Sequence, residues 1–409
     1  MKLIQKNQSK ILKICSDLIK NDKKKTSLFC YFAFWDDTLG YKNILFKFDK
    51  AKYFFSFIYK ISKEIYFSTI SIKYHVKKNS KINIASYRKI IFIDASIDDF
   101  NNNGNFVDRY FRSDPQKNKE YLYFAIYRSK TFPKKIPENL ILMQYEYLFL
   151  EKYNILRNLF LIIKNLFIYK FNFFKFLDEN SLTIKLSKVI EFSLNKNLNF
   201  KNFKKLLISF EGQPHQLNIL NIFKNKNKKI RTIAYDHSTP HALPIHMFYR
   251  FKNLDFIIVN GKNQKKFFVN FLNWPSKKIK IKDSLRYQLV DNLDYKDKVF
   301  LPFNIFDSEK ILSEFEIILK KRPSLAKNLV VRNHPLKDKS KKHLDLSNSL
   351  NIIIQNQLDR LKQIRIKKNN TSFFIGQTTS TIVALEKNLN VIHICENPIL
   401  DMYNSEIWE

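Results

Sequence analysis

The densest reactive chemistry in this 409-residue chain is the stretch YDHSTPHALP (residues 235–244), which carries His237 and His241, with His246 two residues beyond. Asp236 and Ser238 flank the first histidine. A metal site would want these histidines on one helical face with a further ligand, but Pro240 and Pro244 break any helix and no Cys or HExxH pattern lies near. A serine nucleophile would sit on a strained elbow between small residues, as in GxSxG, and Ser238 does not. What survives both eliminations is an imidazole donating hydrogen bonds from a loop. The plain alternative is a loop histidine with no ligand at all.

Three other stretches carry chemistry. In SFEGQPHQ (residues 209–216), Glu211 follows an apolar run, Gly212 turns the chain and Pro214 is placed to open a helix. A carboxylate at the end of a strand suits proton abstraction from a hydroxyl, while the alternative is a solvated acid capping the next helix. In VVRNHPLK (residues 330–337), a strand would deliver Arg332 and His334 to its carboxyl end, with Pro335 forcing a turn. These are groups that contact phosphate or a leaving group. In FFIGQTTSTIVALE (residues 373–386), Gly376 follows a strand, and Thr378, Thr379 and Ser380 open an amphipathic helix. Free N–H groups and hydroxyls at a helix start hold anions, or the hydroxyls simply cap the helix.

These four stretches all end short apolar runs. KLLISF, IRTIAY and DFIIVN recur at spacings of 20 to 25 residues with helical patterns between them. That is the βαβ cadence of a buried parallel sheet. A second series follows: KVFLPFNI, NLVVRNHP, LNIIIQ, SFFIGQ and NVIHIC, with helices starting near Ser308, Gln357 and Thr379. The polar stretch between the series places a boundary near Asp291. Earlier in the chain, SLFCYFAF, KIIFIDAS and YLYFAIY read as strands, with helical insertions over about 130–204. The expected architecture is α/β, two Rossmann-like domains (1–291 and 292–409) facing across a cleft, with ligands at the carboxyl ends of the strands.

Composition narrows the function classes. The formal charge of +35 arises from 72 basic and 37 acidic residues. The lysines are spread along the whole chain without the Arg/Gly/aromatic clustering of an RNA-binding module, and Phe, Lys, Asn, Ile and Tyr are inflated as in proteins from AT-rich genomes. Nucleic acid is therefore not expected as a partner, whereas an anionic membrane surface remains one. Three scattered cysteines form no CxxC pair, which fits a reducing compartment. No secretory signal opens the chain, and the greasiest segment, residues 155–177, is broken by Arg157, Lys164, Lys170 and Lys175. It reads as a buried or interfacial helix, not a membrane span. A cytoplasmic protein, peripheral on the inner face of the inner membrane, is the expectation.

Together these motifs resemble the GT-B glycosyltransferases. The carboxylate-Gly of Glu211-Gly212, the His-Pro of His334-Pro335 and the Thr379-Ser380 pair are similar to the signature of bacterial sialyltransferases and polysialyltransferases, whose donors are CMP-sugars. The resemblance implies Glu211 as the base, His334 and Pro335 at the donor nucleotide, and Thr379 and Ser380 at its phosphate. Those enzymes often have two acidic residues before the glycine, and here the first position is Phe210. The chain also resembles a family of surface carbohydrate biosynthesis proteins from capsule and lipopolysaccharide clusters, through DDFNNNGNFVDRYF, FEGQPHQ, AYDHSTPHALP, FIIVNG and SLRYQLV, in that order. In NGNFVDRYF, Asp108 and Arg109 would meet an acceptor sugar or pair with each other.

The reading is a glycosyltransferase, inverting and metal-independent as GT-B enzymes of this kind generally are. It would carry a sugar from a nucleotide sugar, with a CMP-sugar favoured, to a polysaccharide, lipopolysaccharide or lipid-linked glycan, and need no cofactor. Glu211 and His237 would be catalytic. Arg332, His334, Pro335, Gly376, Thr378, Thr379 and Ser380 would hold the donor phosphate. Asp108, Arg109, Asp236 and Ser238 would lie on the acceptor side. The rivals are a polyol-phosphate transferase of the teichoic-acid type and a non-catalytic partner in a polysaccharide synthesis complex.

Overall fold

A computed structural model describes residues 70–101, 103–148, 182–237, 247–249, 252–285, 295–303, 305, 307–334, 340–360, 370–376, 378 and 380–395. The chain divides into two compact units. The candidate strand at residues 27–34, the greasy segment at 155–177 and the boundary near Asp291 lie outside the described residues.

The first unit is built on β1 (Ser71–Lys78), β2 (Lys89–Ala95), β3 (Tyr121–Tyr127), β4 (Leu140–Leu148), β5 (Lys205–Ser209), β6 (Arg231–Tyr235), β7 (Phe256–Val259) and β8 (Ile279–Ile281). Its helices are α1 (Leu182–Asn197), α2 (Pro214–Lys226) and α3 (Lys262–Asn270). The strands form one sheet in the order β1-β4-β3-β2-β5-β6-β7-β8. Only β1 runs antiparallel; every other pairing is parallel. Counted from β2, the parallel strands lie 3-2-1-4-5-6-7, the doubly wound order, which reverses direction between β2 and β5.

Central strands are near-continuously apolar because both faces of a parallel sheet are covered. β3 buries every residue after Tyr121. On one face Ile91, Ile93, Tyr123, Ala125 and Leu142 form a core that Phe106 and Tyr110 complete from the long loop after β2. Those two aromatics pin NGNFVDRYF to the sheet and so fix where Asp108 and Arg109 stand. β4 lies inside the span read as helical insertions, and β1 went unread. β1 alternates exposed and half-buried positions and carries four lysines or histidines on an edge, a pattern too polar to read as a sheet strand.

The second unit has β9 (Lys298–Phe300), β10 (Val330–Arg332), β11 (Thr371–Ile375) and β12 (Asn390–Ile394), with α4 (Ser308–Lys321), α5 (Lys341–Arg360) and α6 (Ser380–Glu386). All pairings are parallel, in the order β10-β9-β11-β12, so direction reverses between β9 and β11. α4 and α5 bury Ile311, Phe315, Leu346, Leu350 and Ile354 against Val299, Phe373 and Ile375. On another patch Phe300 and Phe374 stack at 4.9 Å beneath Ala384 and Leu389.

The strand expected at LNIIIQ is a correction: those residues lie within α5. The buried positions of that helix are His343, Leu346, Leu350, Ile354 and Gln357, a helical period that runs through the isoleucines and leaves Ile352 61% exposed. The helix expected to start near Gln357 is thus the end of this one. No described helix is long and apolar enough to cross a membrane.

Candidate functional site

The doubly wound sheet of the first unit opens at its carboxyl edge between β2 and β5, where the loops leaving the two strands diverge. Glu211 leaves β5 directly into that opening. Its backbone is held by Gln216 in the first turn of α2. The Gln216 Oε1 accepts from the Glu211 N–H at 2.9 Å and the Gln213 N–H at 3.0 Å, while its Nε2 donates to the Ser209 carbonyl at 2.9 Å. Gly212 makes the turn with φ of 72°, a left-handed conformation that glycine adopts without cost. Proline opens α2 and has no N–H to leave unsatisfied there.

His237 arrives from β6, the next strand over. Its Nε2 lies 3.0 Å from Glu211 Oε1. The histidine side chain is 6% exposed and the glutamate 42%, so the carboxylate faces outward and the imidazole backs it. Tyr110 stands edge-on to the His237 ring at 4.5 Å. Nδ1 of His237 is buried and has no hydrogen-bond partner among the described residues.

Around this pair stand further groups, of which the sequence singled out only Arg109. Asp94, next to the end of β2, holds Arg128 just past β3 at 3.0 Å. Asp99 pairs with Arg109, whose Nη2 also donates to Ser96 Oγ at 2.7 Å. Burial works to lower the Arg109 pKa, but the hydrogen bond and charge of Asp99 hold it above its ordinary value. Asp94 raises that of Arg128 by direct attraction. His215, in the first turn of α2, is buried, and burial takes its pKa down to about 4; the charges acting on it are Asp94, Arg128 and Glu211. The available signals were a charge ending each of two apolar strands and a histidine following Pro214.

Asp108 and Arg109 do not pair with each other. Asp108 is fully buried and receives the Tyr110 and Phe111 N–H groups at 2.8 and 3.2 Å and the Ser113 hydroxyl at 2.7 Å. Burial raises its pKa despite those donors. It shapes the loop from inside. Asp236 is also buried, and its Oδ2 accepts from Gln264 Nε2 at 2.8 Å, fastening the start of α3. Neither offers its carboxylate at the surface. Ser238, His241 and His246 lie outside the described residues.

In the second unit, Arg332 ends β10 and Gly376 follows β11 at the same sheet edge, with β9 between them. The Arg332 guanidinium lies 6.0 Å from the centre of the Phe300 ring. His334 meets Phe303 edge-on at 5.3 Å. Gly376 has φ of 57°, donates its N–H to the Ile394 carbonyl at 2.9 Å and receives His393 Nε2 at 3.0 Å. Burial takes the His393 pKa down to about 4. Thr378 Oγ1 accepts from the Ser380 N–H at 3.4 Å, at the start of α6. His343, unread in the sequence, is buried with Nε2 2.9 Å from the Pro302 carbonyl after β9. It was hidden because it occupies an apolar-face position of α5. Pro335 and Thr379 lie outside the described residues.

No protein-family model and no curated protein matches this chain. Among solved structures, α,α-trehalose 6-phosphate synthase from Burkholderia multivorans aligns over 76% of this chain and 88% of its own at 8% identity, with a TM-score of 0.40. An α,α-trehalose-phosphate synthase (UDP-forming) from Burkholderia vietnamiensis aligns over the same shares at 8% identity, with a TM-score of 0.37. Likeness this distant assigns neither a fold family nor an activity.

Proposed function

We propose that this protein is a glycosyltransferase that moves a sugar from a nucleotide-activated donor to a hydroxyl of a glycan acceptor. The observation that carries the reading is the Glu211–His237 pair at the switch point of the first sheet, with an outward carboxylate backed by a buried imidazole. A carboxylate so held can take a proton from a hydroxyl within its reach. The acceptor oxygen then bonds to the anomeric carbon, the bond from that carbon to the donor phosphate oxygen breaks, and its electron pair leaves with the phosphate. The anomeric configuration inverts. Arg332, His334, Thr378 and Ser380 are the groups we assign to the departing phosphate.

The finer reading follows the motif resemblance: a CMP-sugar as donor, and a capsule or lipopolysaccharide glycan at the inner face of the membrane as acceptor. A thermal-shift screen against CMP, CDP, UDP and GDP sugars selects the donor, and turnover with that donor tests the base. Loss of a general base costs roughly 10²–10⁴-fold, so Glu211→Gln should lower kcat by that much while leaving donor affinity in place. Full transfer or polysaccharide production by Glu211→Gln would overturn the catalytic reading in favour of a non-catalytic partner.

A further inference from the structure

Three buried nitrogens gather where the loops leave β2, β5 and β6: Arg109 Nε, His215 Nε2 and His237 Nδ1, each without a hydrogen-bond partner among the described residues. Shared neighbours link the three residues. Tyr110 packs on His237 and acts electrostatically on both Arg109 and Arg128. Asp94 acts on both arginines and on His215, and Glu211 touches His237 and acts on His215. A buried polar atom left without a partner is costly, so three linked in this way mark a place where a ligand or water completes the bonding. The three nitrogens are themselves buried, and the side chains beside them open to solvent: Arg128, Glu211 and Arg109 are 60%, 42% and 36% exposed.

We propose that this cluster is an acceptor subsite beside Glu211 and that it takes an uncharged sugar ring through its hydroxyls, not a phosphate or a carboxylate. The atom types decide the class. Arg109 Nε can only donate. His215, which burial keeps neutral near pH 7, presents an Nε2 that donates or accepts according to its tautomer. A hydroxyl both donates and accepts, so it satisfies such a mixed set, whereas a phosphate or carboxylate oxygen only accepts. The charges agree. Arg109 is already paired with Asp99 and Arg128 with Asp94, and Glu211 adds a negative charge beside them. An anion entering here would meet spent cations and an unfavourable carboxylate.

This subsite rests on the reading of Glu211 as the group that meets the acceptor, and its test is binding, not turnover. Saturation-transfer NMR and calorimetry on the full chain would compare neutral methyl glycosides with sugar phosphates and uronic acids. The expected result is that a neutral glycoside binds more tightly than its charged counterparts. His215→Phe, which keeps a ring but removes the nitrogen, should weaken that binding about tenfold. His215→Gln should stay within about threefold of the parent. Arg109→Lys keeps a cation for Asp99, deletes the Nε–H, and should weaken binding by about the same tenfold; it serves if His215→Phe does not fold by circular dichroism. Tighter binding of the charged sugars, no binding of any neutral glycoside, or neutral binding indifferent to both His215→Phe and Arg109→Lys would overturn the subsite. Binding that behaves as expected, in a protein that turns over no nucleotide sugar, would keep the subsite and remove the transferase reading. Turnover abolished by Glu211→Gln, with glycoside binding indifferent to the variants, would do the reverse.

Discussion

Glu211 and His237 divide their roles by exposure, the first outward and the second buried behind it. A residue that only orients the base should be replaceable by another donor. Accordingly, His237→Gln should retain more of kcat than His237→Ala, with the alanine variant down about 10- to 100-fold, the range of one charge-assisted hydrogen bond. The acceptor KM should move less than kcat, and equal rates for the two variants would refute an orienting role. His215 carries a pH prediction. Its folded pKa of about 4 lies below the ordinary 6.5, so between those values the unfolded chain binds a proton that the folded chain does not. Stability must therefore fall as the pH drops through 6.5 toward 4, by on the order of 3 kcal/mol from this residue. Thermal midpoints from pH 7 to 4.5 should decline less steeply for His215→Gln than for the parent, and parallel curves would contradict the assignment.

Two strand-to-helix turns of the first sheet use the same device. Gln216 is the third residue of α2 and Gln264 the third of α3. Each carbonyl oxygen accepts from the backbone at the end of the preceding strand segment, Glu211 N and Asn260 N, at 2.9 and 2.7 Å. The Gln216 amide then donates back across its own turn to the Ser209 carbonyl, whereas the Gln264 amide reaches sideways to Asp236 Oδ2, just past the neighbouring strand β6. Gln216→Ala leaves buried backbone groups unpartnered and should cost about 2–3 kcal/mol by denaturant unfolding, whereas Gln216→Glu, lacking the amide donor, should cost nearly as much. A loss below about 0.5 kcal/mol would show that the lock does not hold the turn. How much of the molecule was legible follows from the same physics. KLLISF, IRTIAY and DFIIVN were legible because they are buried on both faces and end in a turn residue or a charge. LNIIIQ misled because three successive isoleucines outweigh the longer helical period around them. Glu211 and His237 were legible because each follows such a strand. Asp94, Arg128 and His215 were not, because their meeting depends on strand order, which places β2 beside β5 although more than a hundred residues separate them.

At the scale of the whole molecule, 72 basic residues face 37 acidic ones, and the excess of 35 must be accommodated by the fold. The sheet shows what this does locally. Lys89, Lys205 and Arg231 stand in register on three adjacent strands, so their side chains project from one face in a row. Opposite charges or rings relieve the outer two: Glu120 binds Lys89 at 2.7 Å, and the Phe256 ring lies 4.9 Å from the Arg231 guanidinium. Lys205 sits between them, and burial first, then the charges of Lys89, Arg231 and Lys282, push its pKa down. Like charges directly opposite on neighbouring strands destabilise a sheet by a few tenths to about 1 kcal/mol. Salt screens such repulsion over a Debye length of about 10 Å at 0.1 M. The parent protein should therefore melt higher at about 0.5 M sodium chloride than at about 0.02 M, contrary to a protein held by surface ion pairs. Lys205→Met keeps most of the apolar stem and removes the middle charge. It should raise the thermal midpoint at low salt, and that gain should shrink as salt is added. A variant that melts lower than the parent at low salt would mean that Lys205 contributes more through its ammonium than it loses to its neighbours. A gain independent of salt would assign the effect to burial alone.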